Sequence, residues 1–326
     1  QQIAAQVPTP TEYYTSRWSG EEIDNRIASL SNQNLLDNWY FVGGGSQQGG
    51  GQFPINQRGE TEYNSSGSAR IVSFDRWRLD PNNGSVSITL NSDGIRLQQI
   101  EAGNNAQSLS QAKEASFFQS NVTYTLSVLC KGTGKLQLLA NANDGQFLKF
   151  TAFDVTNDYA PYAFTFTLPQ ITSNTVSFWI YPDVLGNLGY IDVLAAKLEL
   201  GSHQTLARQD EDGNWVLLDP PPNFQQELAK CQRYLLVLSG FGWIGSGICD
   251  GAASGQFFLP TPVPMRITPT MAGLFRIYNH INNFQVTTAT ASGHTENGIN
   301  GMITFTGGTL QQGDPFFCHL AVNEKL

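Results

Sequence analysis

Between residues 34 and 201, apolar side chains recur at every second position in short runs, the period of a strand with one buried face. Tyr124, Leu126, Val128 and Cys130 form one such face. Nine runs, from SARIVSFDRWRL through TVSFWIYP to YIDVLAAKLEL, fill about 130 residues. PNNG, NSDG, KGTG, NDG and TSN separate them, and each can turn the chain through Gly or Asn. Such close spacing leaves no room for crossover helices. It predicts a two-sheet β-sandwich of jelly-roll type and disfavours a parallel α/β sheet. In the last run Leu194, Ala196, Leu198 and Leu200 take one face, with Asp192, Lys197 and Glu199 at or beside the other, so this strand is expected to close the domain.

The period then changes. After Pro220, Pro221 and Pro222, the residues Phe224, Leu228 and Cys231 recur at helical spacing in a stretch free of Gly and Pro. Strand-like runs resume from YLLVLSGFGWIGSGICDG to PFFCHLAVNEKL, and predict a second, smaller β domain. Pro260, Pro262, Pro264 and Pro269 cannot donate to a ladder, which places PTPVPMRITP at a sheet edge or in an extended crossing between chains. Near the start, Ser19 and Glu22 make a capping box, and Ile23, Ile27 and Leu30 line one face of a short helix. Three turns do not hold alone, so this helix must pack on the following domain or on its own copies. The resulting division is 1–33 tether and helix, 34–201 sandwich, 202–222 linker and 223–326 tip, an all-β chain with short helices.

Three groups of residues carry a resemblance. AAKLELG followed by PPNFQQELAKCQRYL, NLLDNWYF with INQRG at 34–59, and LPTPVPMRITPT at 259–270 resemble the tail-fibre and receptor-binding proteins of bacteriophages and prophages. In those proteins a carbohydrate-binding-module-like jelly roll hands over to a C-terminal tip domain. The resemblance runs from about Asn34 onward and implies a homotrimer at the distal end of a virion tail. It further implies tail or baseplate partners at the N-terminus and a bacterial surface polysaccharide as ligand. GGGSQQGGG at 43–51 splits the second motif, and its Gly, Ser and Gln content reads as a flexible insertion with little to offer a ligand.

Charge removes several function classes. The formal net charge is -9 with charged residues at only 14%, and no basic run exists, so a nucleic-acid partner is not expected. No stretch has the length of a membrane span, and residues 1–20 lack a signal-peptide pattern. Cys130, Cys231, Cys249 and Cys318 form no C-x-x-C pair and read as free thiols.

Candidate chemistry is sparse. His203, His280, His294 and His319 are scattered, with no pair at metal-ligand spacing, and no nucleophile elbow, zinc helix or phosphate loop occurs. No cofactor is expected, a structural Ca²⁺ being the weak alternative. The acidic turn Asp210, Glu211, Asp212 reads as a hairpin and not as a calcium loop. Glycosidase carboxylates leave no local motif, so Asp154 with Asp158, and Asp183 with Asp192, stand as nominal acid pairs. The chain carries 37 aromatic residues, and sugar sites combine aromatic faces with planar polar groups. Trp243, Tyr278, Asn279 and His280 in the tip are the first candidates for saccharide contact, and Trp179 and Tyr181 in the sandwich the second. Trp39, Tyr40 and Trp77 are assigned to structure. The expected function is glycan recognition without cleavage, against a depolymerising tail spike or a purely structural fibre component.

Overall fold

The computed structural model describes residues 19, 31–45, 52–103, 107–143, 146–148, 152–182, 189–238, 242–271, 275–279, 282–306 and 310–320. The helix expected over 19–30, apart from Ser19, and residues 46–51 of the Gly-rich insertion lie outside them. Alternating apolar positions form strands as anticipated. β1 (Glu62–Gly67), β2 (Ile71–Val72), β3 (Arg78–Asp80), β4 (Gly84–Asn91), β5 (Gly94–Glu101) and β6 (Ser108–Glu114) come first. β7 (Thr123–Thr133), β8 (Lys135–Asn143), β9 (Gln146–Leu148), β10 (Ala152–Asp154), β11 (Ala160–Thr167), β12 (Thr175–Pro182) and β13 (Tyr190–Leu200) follow.

One antiparallel sheet has the order β1-β4-β5-β13-β7-β11, and the other β10-β8-β12-β6-β3-β2 with β9 on β8. From β5 onward the long strands switch sheets in turn, which is how a jelly roll winds. The inward faces, among them Val86, Ile88 and Leu97 on one sheet and Leu109, Leu138 and Phe178 on the other, are fully buried. β1 and β6 were not anticipated, because their inward positions are largely polar. On β6 the inward Gln111 and Lys113 serve Asp37: Lys113 Nζ lies 2.7 Å from Asp37 Oδ1, and Gln111 exchanges two hydrogen bonds with the Asp37 backbone.

β13 is last in the sandwich yet lies at its centre, between β5 and β7. It pairs with β5 only as far as Val193, and beyond that point residues 35–41 take over the ladder. Leu35 N donates to Leu198 O at 2.8 Å, Ala196 N to Trp39 O at 3.0 Å and Phe41 N to Leu194 O at 2.9 Å. A bulge between Val193 and Ala195 shifts the alternation, so Leu194 is the extra, half-buried residue out of phase with the buried Ala196 and Leu198, while Leu200, expected inward, ends the strand and is 55% exposed. Lys197 and Glu199 are instead fully buried, under residues 202–219. Lys197 Nζ reaches Asp219 Oδ2 at 2.8 Å, and Glu199 accepts Thr205 N–H at 2.7 Å. That passage holds the hairpin β14 (Ala207–Gln209) and β15 (Trp215–Leu217), whose turn Asp210 ties by accepting from Asp212 N and Asn214 N.

The helix α1 (Phe224–Gln232) is capped by Asn223, whose side chain accepts from Gln226 N at 3.1 Å. Its apolar side, with Phe224, Leu228 and buried Cys231, packs on Phe53 and Ile55 of the sandwich. The chain then builds a closed six-stranded barrel: β16 (Gly242–Gly251), β17 (Ser254–Pro260), β18 (Arg276–Asn279), β19 (Asn282–Thr295), β20 (Gly298–Thr306) and β21 (Pro315–Leu320), in the order β16-β17-β20-β19-β18-β21. Its glycines leave room for rings. A Cβ on Gly247 would stand 2.2 Å from the Phe316 ring, and one on Gly301 2.5 Å from Phe257. Closure removes the free edge at which the proline-rich segment was expected. Residues 261–271 instead connect β17 to β18 within the chain, with Met265 buried in the barrel core and Arg266 N bonded to Arg233 O at 2.9 Å. All four cysteines are free and buried.

Sandwich, helix and barrel meet around Asn38, which is fully buried at a left-handed φ of 52°. Its side chain donates to Ile55 O and Asp75 O, both at 2.8 Å, and accepts Ile55 N–H at 2.6 Å. Its backbone N–H goes to Glu227 of α1, and its carbonyl accepts the Trp77 indole N–H at 2.9 Å. Next to it, Asp75 accepts from Gln57 Nε2 at 2.9 Å. The two ends of the Gln57 amide also hold the strap into the barrel, at Leu235 O and Val237 N. Asp75 Oδ1 accepts no hydrogen bond among the described residues, and Arg58 stays 3.8 Å away. Burial, opposed by the Gln57 hydrogen bonds and Arg58, pushes this carboxyl up to about 6.

Two predictions follow from this joint. Asn38→Ala removes three side-chain hydrogen bonds at buried partners and puts a Cβ-bearing residue with no local bond at positive φ, so urea unfolding should show a loss of about 3–5 kcal/mol. For Asp75 the native pKa lies above the unfolded one, so its contribution is present below about pH 4 and is lost as pH rises through about 6. Wild type should therefore lose about 3 kcal/mol relative to Asp75→Asn over that interval, measured as the difference between their unfolding free energies at each pH.

Candidate functional site

The barrel wall brings two of the sequence-nominated aromatics together. β21 alternates strictly: Phe316 and Cys318 point into the core, and Phe317 points out. Phe317 is the direct cross-strand partner of Tyr278 on β18, while β16 pairs with the other side of β21. A bulge between Trp243 and Gly245 turns the Trp243 side chain outward over this corner. The Trp243 ring lies 5.7 Å from that of Tyr278 and 5.4 Å from that of Phe317, tilted to the first and edge-on to the second. Trp243 is 61% exposed and Phe317 38%.

These rings stand on strands, and not in loops as the neighbouring Gly and Asn residues implied. Phe317 was missed, although the period-two pattern of PFFCHL places it on the outer face opposite Phe316. Arg276, exposed and two residues before Tyr278, shares the outer face of β18. Asn279 ends β18 opposite Asn282, half-buried, and His280 lies outside the described residues. The corner therefore offers three aromatic surfaces with a guanidinium on the same wall. That combination stacks on the C–H face of a pyranose and bonds its hydroxyls.

Trp179 and Tyr181 are not part of this corner. They occupy the outer face of β12, in the sandwich, with Trp179 between Ser110 of β6 and Leu139 of β8, and Tyr181 opposite Gln137. Both are half-buried. Burial pushes the Tyr181 hydroxyl up to about 12, with Asp80 adding to the effect and Arg70 opposing it, so it remains a neutral donor at physiological pH. On this second surface the register sets Ser110, Gln137 and Asn141 on the strands beside the two rings.

One member of each nominal acid pair is held by a basic side chain. Asp192 holds Arg96 through two hydrogen bonds, at 2.7 and 2.8 Å. Asp154 pairs with Lys135 at 2.6 Å on an open surface, Asp158 is exposed, and Asp183 lies outside the described residues. Asp75 has the raised pKa of a general acid, but it is sealed in the interdomain joint beneath Gln57. Among the described residues no group of three or more His, Cys, Asp and Glu side chains is placed to hold a metal ion. His294 bonds Thr268 at 3.1 Å and His203 its neighbour Ser202, each in a local surface contact.

No known family model matches the chain, and no curated protein does. Among solved structures, part of it is similar to a structure described as CBM4 (15% identity, 45% of this chain and 93% of that one, TM-score 0.31). It is also similar to the CBM22-1 xylan-binding domain from Paenibacillus barcinonensis Xyn10C (11%, 52% and 96%, 0.32). A third similarity is to the N-terminal cellulose-binding domain of Cellulomonas fimi β-1,4-glucanase C (13%, 39% and 90%, 0.30). At these identities and scores the likeness bears on no ligand, and the sandwich assignment rests on the strand order given above.

Proposed function

We propose that this chain is a receptor-binding, tail-fibre type protein of a bacteriophage or prophage that holds a bacterial surface glycan without cleaving it. The observation that carries the glycan part is the corner of exposed Trp243 and Phe317 with half-buried Tyr278 on the barrel wall. Three rings at differing tilts suit the successive faces of a saccharide chain, and Arg276 on the same wall supplies donors for its hydroxyls. The tail-fibre part rests on the AAKLELG, PPNFQQELAKCQRYL, NLLDNWYF and LPTPVPMRITPT resemblance. Recognition without cleavage is favoured because Asp192 and Asp154, members of the two nominal acid pairs, are committed to Arg96 and Lys135.

Such a protein works as a homotrimer on the tail of a virion, where three weak sites acting on one surface raise the effective affinity. The outer barrel wall also carries exposed Ile248, Phe258 and Met302, an apolar surface of the kind that association covers. No cofactor is needed for this activity.

The test is retention on an array of bacterial surface polysaccharides, with light scattering on the same sample. Wild type is expected to run as a trimer and to retain defined glycans without releasing reducing ends. Trp243→Ala should weaken retention at least tenfold, about 1.4 kcal/mol, and Trp179→Ala should leave it unchanged. Loss with Trp179→Ala alone would move the site to β12. New reducing ends would make the chain a depolymerase, and a monomer that retains no glycan would leave a structural role.

A further inference from the structure

At the joint, the strap leaving α1 and the segment 265–271 enclose a slot of about 330 Å³. It is lined by buried Leu259, Ile299 and Met265 of the barrel core and by half-buried Leu236, Leu238 and Met271. A sealed apolar cavity of roughly 150 Å³ takes up one benzene, so this slot has room for about twice that volume of hydrocarbon. Its mouth is cationic. Arg233 and Arg266 line the same slot, with side chains 46% and 37% exposed. Both face a single carboxylate, Glu114 Oε1, at 3.8 and 3.9 Å, beyond hydrogen-bonding length. Glu114 is itself fixed by the Tyr234 hydroxyl through its other oxygen, and Oε1 accepts no hydrogen bond among the described residues. Two guanidiniums therefore share one negative charge, in a chain whose net charge is -9.

We propose that this slot binds an anionic amphiphile: a single alkyl chain lies against Leu236, Leu238, Leu259 and Ile299, and the anionic head sits on Arg233 and Arg266. The apolar walls supply affinity in proportion to the chain surface they cover, and the paired guanidiniums select the sign of the head. A second copy of the protein is the other conceivable occupant. The narrow slot and its cationic rim fit a chain with an anionic end better than a folded surface of a protein with a net negative charge. A fatty carboxylate and an alkyl phosphate present the same chemistry. This slot shares no residue with the glycan corner and does not depend on it.

The experiment is calorimetric titration of the full chain, below micelle concentrations, with dodecanoate, dodecyl phosphate, dodecyl maltoside and dodecyltrimethylammonium. The two anions are expected to bind with one-to-one stoichiometry per chain, at least tenfold tighter than the cation, and the tighter anion identifies the natural head. Raising salt from 0.05 to 0.5 M should weaken the anions several-fold and leave the maltoside unchanged. Arg233→Gln with Arg266→Gln should bring the anions down to the maltoside level, a change no general loss of folding would mimic. Leu236→Trp, which fills the slot, should abolish binding of all four while circular dichroism stays that of wild type. Equal affinity for anion and cation, no saturable binding of either anion, or binding that survives a folded Leu236→Trp would overturn the proposal. So would a self-association, lost in Leu236→Trp, that dodecanoate does not compete with.

Discussion

Everything at the centre of this molecule depends on one buried amide. Asn38 is fully buried, and its polar atoms are satisfied by three separate stretches of the chain. Ile55, Asp75 and Trp77 come from the sandwich and Glu227 from the helix that precedes the barrel. An asparagine suits the place for two separate reasons: it tolerates the left-handed backbone, and it offers a donor and an acceptor on one short arm. Because the alternatives to these bonds are unpaired buried groups, the node fixes geometry more than it adds net stability.

Four motifs singled out in the sequence converge on the same place. NLLDNWYF continues the ladder of β13, the strand that carries AAKLELG, so two motifs far apart in sequence are the two sides of one pairing. INQRG supplies Gln57, which clamps the strap, and FQQELAKCQRYL supplies Glu227 and Tyr234, whose ring lies 3.3 Å beneath the Arg76 guanidinium. LPTPVPMRITPT returns across the strap through Arg266. These motifs are thus a joint between two β domains. Much of their chemistry goes into holding that joint, and the guanidiniums of Arg233 and Arg266 line the slot beside it.

The sequence revealed strands where the buried face is apolar and concealed them where it is polar. TYTLSVLC and TVSFWIYP could be read directly, whereas SLSQAKE could not, since its inward Gln111 and Lys113 exist to satisfy Asp37. Barrel closure was out of reach for another reason: it depends on which strands pair at a distance, and local period carries no such information. The site was half readable. Trp243 and Tyr278 drew notice as aromatics near Gly and Asn, but their meeting at Phe317 requires the register of three strands. Leu194 shows the opposite failure, a regular pattern broken where that residue bulges.

The position of β13 sets the order in which the protein can be made. Translation delivers β5 and β7 long before the strand that lies between them, so the sheet waits as two halves with facing edges unpaired. β13 can enter only after both halves have left the ribosome, and segment 35–41 lacks its partner strand until then. Exposed edges of that kind are the usual route to mispairing between nascent chains, most acute where several copies are made side by side. Glu227 emerges only 27 residues after the last of β13, so the joint locks almost as soon as the sheet is whole. The barrel, which comes last, is thus added to a finished sandwich.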